Sequence, residues 1–230
     1  MQPTRPTHLS EHAERTLQAL AAAGLGHAIS LGGALGLLHY LDYRSTHDVD
    51  AWWVSETSAK ERERVLQIIT DTLQPSGDIR TRRWGEVVSV ELVFGGKTVF
   101  SFQIADRSAQ LEPTATLSWA DVSIDSLNDL VASKMVALVE RGAPRDFRDI
   151  YTLCRSGLKT AADCWSLWRL RQQRAGSDAD AHRARLALQT HLSRISQHRP
   201  LQGIDDPDQR MEAESLRTWF STELPDALVD

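Results

Sequence analysis

Cysteine is scarce in this chain: two residues in 230, Cys154 and Cys164, with no CxxC pair. That excludes a disulfide scaffold and a paired-thiolate zinc site. It fits a reduced, cytoplasmic protein, with a single disulfide between the two left open. Long hydrophobic runs are missing as well. No stretch reaches the length that crosses a bilayer, and Met1–Ser10 has no apolar signal core, so no membrane partner is expected. Positive charge is not in excess: 26 Lys and Arg against 31 Asp and Glu leave a net charge of -5. A general nucleic-acid coat protein would be basic, although a local basic patch is compatible with an acidic chain. There is no internal repeat, and no second His or Cys stands at a zinc-like spacing from His47. What is present, 41% hydrophobic and 25% charged residues, is the balance of a soluble globular protein whose core needs no staples.

The periodicity changes along the chain. An amphipathic helix is predicted over Leu9–Ala23, then a short strand over His27–Leu31 broken by Gly32-Gly33, and a compact apolar helix over Ala34–Leu41. A strand is predicted over Asp48–Val54. A helix follows, opened by a capping box at Ser58–Glu61 and carrying the stripe Val65, Ile68, Ile69 and Leu73. Three strands are predicted over Asp78–Arg83, Val87–Phe94 and Thr98–Ile104, the last two joined by a Gly95-Gly96 turn. From Asp125 onward the pattern is helical: Ser126–Arg141, Arg145–Arg155, Ala161–Gln173, Asp178–Gln197 and Pro207–Phe220. Trp165, Trp168 and Trp219 fall at helical spacing among apolar neighbours and are expected in the core, while Trp84 precedes a turn and is expected to be more exposed.

The strand that opens with Asp48-Val-Asp50 holds the candidate chemistry. Side chains alternate along a strand, so Asp48, Asp50 and Trp52 share one face and Val49, Ala51 and Trp53 the other. Two carboxylates at i and i+2 can share one divalent cation. Mg²⁺ prefers such hard oxygen ligands and keeps water and substrate phosphates in its shell, where it favours in-line attack at phosphorus. Gly32-Gly33, without Cβ atoms, lets backbone approach a phosphate at a helix start. A lone DxD or a lone GG says little; their joining in one strand-turn-helix-strand unit says much more.

A second cluster lies in the helical half. Lys134, Leu138 and Arg141 fall on one helical stripe, Gly142 is a C-cap, and Pro144 opens the next helix with Asp146 and Asp149 on a shared face. Arg145, Asp146 and Arg148 read as routine, solvated ion pairs. Lys134 does not: among Val131, Ala132, Met135, Val136 and Leu138, its ammonium must snorkel or find an anion. Arg80, Arg82 and Arg83 make one strand locally basic, which suits either a solvated face or the border of an RNA or triphosphate cleft.

Gly32-Gly33…Arg44-Ser45-Thr46-His47-Asp48-Val49-Asp50 resembles the signature of the DNA polymerase beta-like nucleotidyltransferases, and more narrowly that of the AbiEii/AbiGii-type toxins. Lys134, Ala137, Leu138, Arg141, Arg145, Asp146, Asp149 and Leu153 resemble the later motif of the same family. The two regions span Leu31–Leu153, and the tail beyond about residue 160 carries no recognised motif. The resemblance implies an α+β fold: a nucleotidyltransferase core with a small mixed sheet and flanking helices over 1–115, and a helical bundle over 116–230 that completes the active-site cleft. It implies an enzyme that moves NMP from a nucleoside triphosphate to a hydroxyl, with RNA (the tRNA 3′ end) as acceptor and a cognate antitoxin as partner. Asp48 and Asp50 would hold Mg²⁺ or Mn²⁺. Gly32, Gly33, Arg44, Ser45 and Thr46 would cradle the nucleotide. Lys134 would meet the phosphates, with Asp149 beside Lys134 or the metal. A small-molecule acceptor of the antibiotic type and a non-catalytic binding protein are the alternatives. One departure stands out: the superfamily's third acid, expected near Gln103, is missing, which leaves Glu91 or Asp149 as substitutes.

Overall fold

The computed structural model describes residues 1–228. The chain folds into two compact units, one ending at Leu130 and the other beginning at Val131.

In the first unit, α1 (Glu11–Ala22) precedes β1 (Ile29–Leu31), α2 (Gly33–Leu38), β2 (Val49–Trp53) and α3 (Ala59–Leu73). Then come β3 (Asp78–Trp84), β4 (Val87–Phe94), β5 (Lys97–Ala105), β6 (Ala115–Thr116) and β7 (Ser123–Ile124). Among the described residues these seven strands make one mixed sheet in the order β3-β4-β5-β2-β1-β7-β6. β2 lies antiparallel to β1 and parallel to β5. One face is apolar. Val49, Ala51 and Trp53 of β2, Val88, Val90 and Leu92 of β4, and Phe100, Phe102 and Ile104 of β5 are buried in one cluster with Leu17 and Leu20 of α1 and Val65, Ile69 and Leu73 of α3. Each strand alternates, so its remaining side chains stand on the opposite face, and that face carries the candidate site.

Local chemistry explains most boundaries. The Ser58 hydroxyl accepts from the Glu61 backbone N–H while the Glu61 carboxylate accepts from Ser58 N–H at 2.8 Å, the capping box that starts α3. Such a cap contributes about 1 kcal/mol. Gly95 and Gly96 have φ of 57° and 77°, the left-handed pair that a tight hairpin between β4 and β5 requires.

Three expectations are corrected. The strand predicted from His27 begins only at Ile29, because Gly26–Ala28 forms a 3-10 turn packed so closely that a Cβ on Gly26 would stand 2.0 Å from the Asp121 carbonyl oxygen. The helix predicted to Leu41 stops at Leu38 in a turn through His39 and Tyr40. The two-residue strands β6 and β7 had not been foreseen: so short a run carries no alternation to read.

The second unit is helical. α4 (Leu127–Glu140) straddles the division, followed by α5 (Pro144–Arg155), α6 (Ala161–Arg174), α7 (Ala181–His198), α8 (Pro207–Ser221) and the short α9 (Glu223–Asp226). Aromatic side chains fill its interior: Phe147 meets Phe220 edge-on at 4.6 Å, and Trp165 meets Trp168 at 5.5 Å. Trp165, Trp168 and Trp219 are buried, and Trp84, on β3, is 48% exposed. No helix among the described residues is long and apolar enough to cross a membrane.

Candidate active site

The carboxylate pair is built by three adjacent strands. Leu31 pairs with Ala51, and the Gly32 N–H then donates to the Asp50 carbonyl at 2.8 Å, so the glycines leave β1 directly across from the acids. Asp50 projects from the polar face of β2 beneath Gly33. A Cβ on Gly33 would lie 2.1 Å from Asp50 Oδ2, and one on Gly32 would lie 2.5 Å from Trp52 Nε1. Gly33 also has φ +56°. The glycine pair therefore has a structural reason apart from phosphate approach: it makes room for the two side chains Asp50 and Trp52. Gly33→Ala is expected to displace the Asp50 carboxylate and to cost at least about 1 kcal/mol through its left-handed backbone alone. A lower urea midpoint together with lower transfer activity is the expected measurement, and a wild-type value for both would overturn the steric argument.

Asp48 is oriented by β5. The Ser101 hydroxyl donates to Asp48 Oδ1 at 2.7 Å. Gln103, also on β5, stands in register beside Asp50. The polar face extends further in register. Gln103 pairs with Ser89 of β4 and Ser89 with Arg82 of β3, while Ser101 pairs with Glu91 and Glu91 with Arg80. At about 4.8 Å per strand, β3 lies roughly 14 Å from β2 along this surface.

Glu91 is held by arginine. Its carboxylate receives Arg80 Nε at 2.8 Å and lies 3.5 Å from Arg82 Nε. Of the two proposed substitutes for the third acid, Glu91 is across from Ser101 and Asp149 lies on α5. Among the described residues no group of three or more His, Cys, Asp or Glu side chains is arranged to hold a metal ion. A divalent cation at Asp48 and Asp50 would complete its shell with water and phosphate oxygens, which is how Mg²⁺ binds.

Arg44, Ser45 and Thr46 lie on the segment between α2 and β2. The Arg44 guanidinium sits over the Tyr43 ring at 5.7 Å, and Arg44 and Ser45 line a pocket of about 580 Å³ with Thr7, His8 and Asp42.

One polar cluster on this sheet was missed by sequence reasoning. Ser30 of β1, in register with Trp52, donates to Asp125 Oδ1 at 2.5 Å, and the Arg107 guanidinium donates to the same oxygen. Asp125 is 1% exposed. Burial pushes its carboxyl upward, against the pull of Arg107 and Ser30. The available signal was a lone serine within the apolar run Ala28–Leu31.

In the helical unit, Lys134 Nζ lies 2.7 Å from Asp149 Oδ2 and 3.4 Å from Asp146 Oδ1. Asp146 also receives Arg141 Nε at 2.9 Å. Asp146 and Asp149 are fully buried, and the Lys134 side chain is 8% exposed. The reading of Asp146 as part of a solvated set is therefore corrected, whereas Arg145 and Arg148 are exposed. α4 delivers the lysine, Gly142 (φ +56°) turns the chain, and Pro144 starts α5 so that both acids face back toward it.

The mixed sheet, the glycine break and the two aspartates are what a nucleotidyltransferase would need to hold a metal-bound nucleotide. The model of the family described as "Nucleotidyl transferase AbiEii toxin, Type IV TA system" matches residues 15–226, and the chain belongs to this family of transferase enzymes. No curated protein sequence matches it. Among solved structures it is similar to the antibiotic-resistance factor ANT(2″)-Ia, at 12% identity over 81% of this chain and 92% of that one, TM-score 0.47. It is also similar to an antigenic nucleotidyltransferase-like protein from Paracoccidioides brasiliensis, at 18% identity over 89% and 94%, TM-score 0.40. A third similar structure is the Megavirus polyadenylate synthase, at 9% identity over 94% and 50%, TM-score 0.38.

Proposed function

We propose that this enzyme transfers a nucleoside monophosphate from an NTP to a hydroxyl of RNA, with the tRNA 3′ end as acceptor, as the toxin of a toxin–antitoxin pair acting in the cytoplasm. The observation that carries the reading is the position of Asp50 on the polar face of β2, packed under Gly33, with Asp48 in the residue just before the strand and oriented by Ser101.

In this reading Asp48 and Asp50 are the protein ligands of Mg²⁺. The ion, once bound, neutralises triphosphate charge and favours in-line displacement of pyrophosphate. Gly32 and Gly33, with Arg44, Ser45 and Thr46, bind the nucleotide. Lys134 meets its phosphates. An ammonium has three N–H donors, and the two aspartates around Lys134 account for two of them. Asp149, 2.7 Å away, fixes that ammonium in direction. An RNA acceptor is supported by the edge strand β3, where Arg82 and Trp84 stand on the same sheet face as Asp50, with Arg82 53% exposed.

The test is incubation with each labelled NTP and Mg²⁺ in the presence of tRNA, or of a panel of cationic small molecules. Label on the tRNA 3′ end with pyrophosphate release is the expected result. Label on a small molecule alone overturns the acceptor, and nucleotide binding without pyrophosphate release overturns the reaction.

A further inference from the structure

Cys154, in the last turn of α5, and Cys164, in the first turn of α6, bring their sulfurs to 3.6 Å across the short turn that joins the two helices. They are the only cysteines in the chain. They differ in access: Cys154 is half-buried and Cys164 is fully buried. We propose that this pair is a redox-modification site, at which Cys154 is oxidised by a peroxide and Cys164 resolves it to a reversible disulfide.

A disulfide bond is about 2.0 Å long, so the sulfurs need to approach by roughly 1.6 Å, within the reach of side-chain rotation and a small helix adjustment. The chemistry has an order set by access. The Cys154 thiolate takes one oxygen from hydrogen peroxide; the O–O bond breaks and hydroxide leaves, giving a sulfenic acid. Cys164 sulfur then attacks Cys154 sulfur; the S–O bond breaks, and the oxygen leaves as water with the Cys164 proton. Sulfur is oxidised and peroxide reduced, with no other reagent. The thiol arrangement favours this order. The hydrogen bond from Cys164 draws the Cys154 thiol below its ordinary pKa, although Asp163 and Glu223 act against it, while that bond and burial push Cys164 up. The more accessible partner is thus the readier thiolate, and the buried one waits as a thiol within reach.

The bond would tie the end of α5 to the start of α6. α5 is also the helix that carries Asp146 and Asp149, so oxidation fixes one end of the element that holds Lys134.

The full chain is treated with a small excess of hydrogen peroxide, digested without reductant and mapped by mass. A Cys154–Cys164 linked peptide pair, two hydrogens lighter than the free thiols and restored by reductant, is expected, with Tm raised by about 5 °C. Cys164→Ser is expected to stop at a sulfenic acid on Cys154 that dimedone traps, and Cys154→Ser to leave Cys164 unmodified. Loss of the two thiols independently, or a stable over-oxidised Cys154 beside a free Cys164 in the unsubstituted protein, overturns the proposal.

Discussion

Asp50→Asn is expected to lower nucleotidyl transfer by about 10³-fold or more while the protein remains folded, and Asp48→Asn to do the same. Asparagine has the shape of aspartate, so it fits the space under Gly33 and still offers Ser101 a carbonyl oxygen to bind. What is lost is charge. A neutral amide binds a hard divalent cation far more weakly than a carboxylate, and the triphosphate then meets an uncompensated site. Stability is expected to move the other way or not at all. Two carboxylates two residues apart, one on β2 and one just before it, repel each other more than a carboxylate and an amide do, and removing one charge lowers that repulsion. Sites built for chemistry often carry a cost of this kind. Thermal unfolding of both variants beside the labelled-NTP assay separates the two effects. Transfer at the unsubstituted rate in either would remove the aspartates from the mechanism; loss of transfer with a collapse in Tm would make them structural instead.

The legible parts of this fold are the local ones. The alternation of Asp48, Asp50 and Trp52 against Val49, Ala51 and Trp53 was readable because a strand's two faces are written two residues apart, and the burial of β2 follows it. The Ser58–Glu61 box and the Gly95-Gly96 hairpin are readable for the same reason: each is complete within four residues. Contacts between distant parts of the chain were not. The hydrogen bond from Ser30 to Asp125 joins positions 95 residues apart, and nothing near Asp125 announces it. The start of β1 was misread because the backbone at Gly26 is set by Asp121, far along the chain. Asp146 shows a third kind of failure. Its neighbours Arg145 and Arg148 are exposed, so the local pattern is that of a solvated helix face, yet its own side chain turns inward to Lys134 and Arg141. The absent third acid was legible as an absence; that Gln103 stands directly beside Asp50 required the register of β5 on β2.

Lys134→Met is the second large effect, and here the danger is mistaking a folding defect for a catalytic one. The ammonium sits between two fully buried carboxylates, 2.7 Å from Asp149 and 3.4 Å from Asp146. Asp146 retains Arg141 when the lysine is gone, and Asp149 loses its 2.7 Å contact with the ammonium. Removing one partner of a buried ion pair costs about 3–5 kcal/mol, because the other charge stays out of water without compensation. That is a large part of the 5–15 kcal/mol by which a domain of ordinary stability is folded, roughly speaking. A drop in activity for Lys134→Met alone would therefore be ambiguous. The double substitution Lys134→Met with Asp149→Asn resolves it. Neutralising Asp149 removes the carboxylate that faced the ammonium, and the double variant is expected to recover part of the lost stability, with a coupling energy of about 0.5–3 kcal/mol in the four-way cycle. Activity is not expected to return with it, because the phosphates would still lack their cation. If the double variant unfolds at the unsubstituted temperature and also transfers nucleotide at the unsubstituted rate, Lys134 and Asp149 are a buried strut of the helical unit and nothing more.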